Sequence, residues 1–274
     1  MEILSTLLFG NTLFFKFGIG IWNFTMNLVC DVAGTTPQSF SSLAWGYIVN
    51  VILSFMMAIA GTLLNIFYMV GIIRQSTNLK ENFTLEIFVE NCLKMLLANI
   101  LILNGVELIK MMFELASIGS VAFLQTPTVM GISSLDEDIG KSLFGCIFGI
   151  LFFVVSLVCS ATIFLTVYSR YLHLYLLVAL YPVALSTMPG GRGVSSTASA
   201  WVRAFLQKCF EIMVIAILIT IATFMCKAIN FGELSGFGEF FDGFIQMLQN
   251  MATMVILSSA VKGADILMRR SLGL

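Results

Sequence analysis

The residues able to do covalent or metal chemistry in this 274-residue chain are few and poorly spaced for it. His173 is the single histidine, and the six cysteines, Cys30, Cys92, Cys146, Cys159, Cys209 and Cys226, show no CxxC spacing. A zinc site needs several His, Cys or carboxylate ligands at close spacing. A Ser-His-Asp triad could use only His173, and no serine sits in a GxSxG elbow. Neither a GxxxxGK(S/T) loop nor a GxGxxG turn is present, so no nucleotide site is visible. The residues therefore predict no catalytic centre, no metal and no cofactor. Most of the cysteines fall inside apolar blocks, where a free thiol packs as a small hydrophobe.

The remaining chemistry lies in ionisable residues set among apolar ones. Hydrophobic residues make up 59% of the chain, charged residues only 11%, and the mean hydropathy is +0.99. Soluble domains carry about 25% charged residues, so the composition predicts an integral membrane protein. Barrel strands would alternate in polarity over segments of about ten residues, whereas the apolar residues here run in long blocks. The fold class is therefore all-α, a polytopic helical membrane protein. The formal charge of −1 and pI near 5.8 give no overall basic excess for gripping a polyanion, so any contact with nucleic acid must be local.

A crossing helix needs about 20 apolar residues. Stretches of that kind predict about five spans, over roughly 43–73, 88–115, 142–169, 211–229 and 243–261. The second carries Glu90, Lys94, Glu107, Lys110 and Glu114. Glu90 precedes Lys94 by four positions, and Lys110 lies three after Glu107 and four before Glu114, so each set can neutralise itself on one helix face. These groups either line a polar path or snorkel and pair near the two ends of the span.

Two segments do not read as plain spans. In 3–29, Ser5, Thr12, Lys16, Asn23 and Asn27 recur at steps of seven and four along one helical stripe. That pattern predicts an amphipathic N-terminal helix over 1–30, lying in the membrane interface or turning its stripe toward a lumen, with the bundle occupying 31–274. It lacks the basic start and small-residue cleavage site of a signal peptide, so it is expected to be retained. The stretch 171–188 is charge-free but carries Pro182, which removes a helix hydrogen bond. It either crosses or forms a broken, re-entrant segment, whose backbone must then be buried in protein or line water.

Orientation follows from the positive-inside rule. Arg192, Arg203 and Lys208 and the tail with Lys262, Arg269 and Arg270 are separated by two spans, and only Lys227 opposes them, so both regions are expected in the cytoplasm. The intervening turn, with Glu233, Glu239 and Asp242, is then external. In the N-terminal half the basic residues balance, and the acidic loop with Asp136, Glu137 and Asp138 favours the version in which 171–188 does not cross. The third span carries Gly145 and Gly149, a GxxxG, with Ser142, Ser156 and Ser160 on nearly the same face. This predicts a close helix-packing face, within one subunit or between subunits.

With that layout the chain resembles the TrbL/VirB-type polytopic inner-membrane subunits of type IV secretion systems. The resemblance rests on a long span running into Arg170 and Tyr171, a hydrophobic segment with Pro182 at its centre, a Gly-rich stretch, and a helix starting at Trp201, Val202 and Arg203. It implies about five spans, an external N-terminus and a cytoplasmic C-terminus in the bacterial plasma membrane. It also implies a non-enzymatic channel or platform that assembles as a ring among membrane lipids. Its implied partners are the secretion ATPase and other inner-membrane subunits, and its cargo single-stranded DNA or protein. In such a lumen the polar lining falls to Lys16, Asn23, Asn27, Lys94 and Lys110, because an extended phosphate backbone is served by a positive, sequence-blind path. A membrane subunit of a small-molecule or ion transporter is the alternative; it favours paired broken helices in corresponding halves, and the sequence shows one proline-broken segment and no internal repeat.

Overall fold

A computed structural model of the chain describes residues 2–76, 85–124, 139–191, 193–228 and 239–271. Among these residues every regular element is helical. The first helix, α1 (Glu2–Gly34), meets no proline before Pro37 and ends at a glycine. Two short helices follow, α2 (Pro37–Phe40) with proline at its first position, and α3 (Ser42–Tyr47). The Ser41 hydroxyl accepts from the Ala44 amide at 3.3 Å, satisfying one of the amide donors that the start of α3 leaves open. A π-helical turn, Ile48–Ile52, leads into α4 (Leu53–Ser76). Four long helices complete the chain: α5 (Leu85–Phe123), α6 (Ile139–Ser186), α7 (Ser195–Ala228) and α8 (Glu239–Ser271).

Among the described residues, five stretches are long and apolar enough to cross a membrane: Ser42–Arg74, Phe88–Phe123, Phe148–Ser186, Ser195–Cys226 and Met247–Arg270. The chain is thus the five-span helical membrane protein that its composition predicts, with several spans longer than the apolar blocks suggested. α5 runs eight residues beyond Leu115, because 116–123 is apolar and free of proline. α7 begins at Ser195, directly after the glycine-rich turn, and takes Arg203 and Lys208 into the helix.

The largest difference concerns 171–188. It is neither a separate crossing nor a re-entrant loop, because α6 continues without interruption through Pro182 to Ser186. The 39 residues of Phe148–Ser186 measure about 58 Å at 1.5 Å per residue. A hydrocarbon core of about 30 Å would swallow that length only at a tilt of about 60°, well outside the usual 0–40° range. Part of α6 therefore stands beyond the hydrocarbon.

The residues sort into two compact units, and α5, α6, α7 and the last residues of α8 divide between them. In the unit built from Met1–Gly34, Ile118–Ser169 and Glu211–Met268, α1 packs on α6. The Phe15 and Phe152 rings lie 4.4 Å apart, and the Ser156 hydroxyl donates to the Gly18 carbonyl at 2.6 Å. A Cβ at Gly18 would stand 2.9 Å from the Phe152 ring, so this approach requires glycine. Gly149 is buried on the same α6 segment as Ser156 and Ser160, while the side-chain surroundings of position 145 lie outside the described residues. The Ser120 hydroxyl donates to the Ala33 carbonyl, and the Thr220 hydroxyl to the Phe123 carbonyl at 2.9 Å.

In the other unit, Thr35–Ser117, Arg170–Phe210 and Arg269–Leu274, the tightest approach is between α4 and the turn after α6. A Cβ on Gly71 would lie 2.2 Å from the Pro189 carbonyl oxygen. Gly191 and Gly193 in that turn have φ of 77° and 95°, which glycine adopts without strain. Gly71→Ala is therefore expected to push the turn off α4 and cost about 1–3 kcal/mol, the usual range for overpacking. Gly61→Ala on the same helix meets nothing within 4 Å and should raise stability by up to about 1 kcal/mol. Thermal unfolding in detergent compares the two; equal melting temperatures would show that the α4 contact is dispensable.

Candidate functional site

The residues behind the Arg170 to Arg203 pattern converge on a seam between α6 and α7. Arg170 is 3% exposed. Its Nε donates to the Lys208 carbonyl at 3.0 Å and its Nη2 to the Cys209 carbonyl at 3.2 Å. The guanidinium also lies 5.1 Å from the centre of the Tyr171 ring. Nη1 is buried without a hydrogen-bond partner. A guanidinium stays charged inside proteins, so this is a permanent cation inside a span.

Two turns further along α6, the Trp201 indole donates to the Leu177 carbonyl at 3.1 Å. Pro182 has no amide to offer Val178, the neighbouring carbonyl, and so weakens the α6 ladder at this level. The Trp201 bond goes to the carbonyl one residue before Val178, so it ties α7 to α6 beside the proline without replacing the lost ladder bond. The Trp201 ring stacks on Phe205 with centroids 5.3 Å apart, Phe205 meets Phe113 at 5.7 Å, and Phe113 meets Trp45 at 6.2 Å. Arg203 is exposed on α7.

Three tyrosines that sequence reasoning did not single out for contacts carry α6 onto its surroundings. The Tyr171 hydroxyl donates to the Thr35 carbonyl at 3.1 Å, Tyr175 to Pro37 at 2.7 Å and Tyr181 to Ile102 at 2.8 Å. A stacked Phe40 covers Tyr171 at 4.1 Å. The signal was present, since Tyr171 and Tyr175 are one turn apart and the Thr35, Thr36, Pro37 break leaves carbonyls open. Glu211 and Gln207, 1% and 4% exposed, are further buried polar groups that were passed over. Gln207 lies in the basic stretch expected to be a loop, and Glu211 at the very start of the span expected over 211–229.

The ionisable groups of the predicted path are distributed as follows. Lys94 Nζ lies 2.6 Å from Glu90 Oε1, and Lys110 Nζ donates to Glu107 Oε1 at 2.8 Å. Lys110 takes Glu107 rather than Glu114. Sixteen residues separate Lys94 from Lys110 on α5, a rotation of about 160°, so they project from nearly opposite sides. On α1, Lys16 and Asn27 are exposed and Asn23 is half-buried, opposite the buried face of Phe15, Ile19, Trp22 and Met26. The side chains of Ser5 and Thr12 lie outside the described residues. The exposed face is mixed, because Phe17 and Phe24 border the same open groove of about 410 Å³ as Lys16.

The family described as TrbL/VirB6 plasmid conjugal transfer like protein matches this chain over residues 22–182, more than half of its length. The chain belongs to that family. No curated protein and no solved structure matches it. The TrbL/VirB6 match takes in Asn23, Asn27, Lys94, Lys110, Gly145, Gly149, Arg170 and Pro182, whereas Lys16, Trp201 and Arg203 fall outside it. Membership makes the protein a membrane component of conjugal transfer, the type IV secretion class of machinery.

The two-carbonyl fork is a property of the guanidinium, which a lysine cannot reproduce. Arg170→Lys is therefore expected to lose nearly as much stability as Arg170→Leu, about 1.5–3 kcal/mol for a charged hydrogen bond. Thermal unfolding of the three proteins reads this directly. A wild-type melting temperature for Arg170→Lys would mean that charge, not fork geometry, is what this position supplies.

Proposed function

We propose that this TrbL/VirB6 family member is a non-enzymatic channel or platform subunit of a conjugative type IV secretion machine. In this reading several copies assemble as a ring in the bacterial plasma membrane and help pass single-stranded DNA or protein outward. The observation that carries it is the family match over residues 22–182, on a chain with five apolar spans. The C-terminus lies in the cytoplasm, on the side of the basic residues Lys262, Arg269 and Arg270, and the N-terminus outside. The secretion ATPase and the other inner-membrane subunits are its partners.

In the ring, the exposed face of α1 turns toward the lumen. Lys16 supplies positive charge, Asn23 and Asn27 hydrogen-bonding groups, and Phe17 and Phe24 faces on which bases stack, the combination that serves a single strand without reading its sequence. Lys110, paired with Glu107, contributes where that pair opens toward the strand, whereas Lys94, paired with Glu90 on nearly the opposite side of α5, does not face the same lumen.

In-frame deletion of the gene should abolish DNA transfer from donor to recipient cells, and a complementing copy should restore it. Normal transfer in the deletion strain would bring the transporter reading forward. Lys16→Glu combined with Lys110→Glu should lower transfer at least tenfold while leaving the amount of protein in the membrane unchanged. Undiminished transfer would remove both lysines from the path.

A further inference from the structure

We draw no further inference here: the strongest candidate, the exposed face of α4 that carries Asn50, Ser54, Gly61 and Asn65, is a stripe of small and polar residues, and nothing in the structure shows what covers it.

Discussion

Arg170 sets the terms for the packing of α6 on α7. A buried guanidinium inside an apolar span costs several kcal/mol unless its donors are satisfied. The available acceptors are the carbonyls of Lys208 and Cys209, which lie in the middle of α7. Each backbone carbonyl has two lone pairs, so the guanidinium can take one while the helix keeps the other. The Trp201 contact obeys the same logic from the opposite direction. From Arg170 to Leu177 is seven residues on α6, and from Trp201 to Lys208 is seven on α7. Seven residues bring a helix back almost to the same face. Two antiparallel helices are thus clamped twice at a matched two-turn interval, which fixes their register as well as their contact.

That clamp is one instance of a wider device. Between helices surrounded by lipid, burying apolar area gains little, because lipid tails are as apolar as leucine. Association rests on close packing and on hydrogen bonds. Here the donors are side-chain hydroxyls, an indole and a guanidinium, and the acceptors are backbone carbonyls: Tyr171 to Thr35, Tyr175 to Pro37, Tyr181 to Ile102, Ser156 to Gly18 and Ser120 to Ala33. A carbonyl acceptor has the same chemistry whatever residue carries it. Such contacts specify helix register through the donor's position alone, and Gly18, Gly71 and Gly105 supply the close approach.

This division explains what could be read from the sequence. The class of fold and the five spans were legible because apolar length is a property of the chain itself. The Glu90–Lys94 pair was legible because it is local, four residues apart on one helix. The choice of Glu107 over Glu114 for Lys110 was not, since both spacings allow a pair and rotamer detail decides. The continuation of α6 through Pro182 was hidden for a related reason. Proline announces one lost hydrogen bond, but a helix survives that loss when the rest of its ladder and its packing hold, as α6 does. The clamp partners of Arg170 were invisible in principle, because backbone carbonyls leave no mark on residue identity. Family membership located Arg170 and Pro182 without saying what they touch.

The same reasoning bears on α1, whose exposed face mixes Lys16 and Asn27 with Phe17 and Phe24. A lysine at the centre of a bilayer costs about 2.5–3.5 kcal/mol or more, so water must reach this face. A helix lying in the interface plane meets that need with aromatic residues toward the acyl chains and lysine toward the headgroups. A lumen meets it differently. In the proposed ring, symmetry repeats Lys16 once per subunit at a single level, and like charges gathered in a low-dielectric wall repel one another. A polyphosphate strand passing that level offsets the repulsion, while an empty lumen leaves it in place. Lys16 is therefore only tolerated in the interface arrangement, but in the lumen arrangement it favours the loaded channel over the empty one.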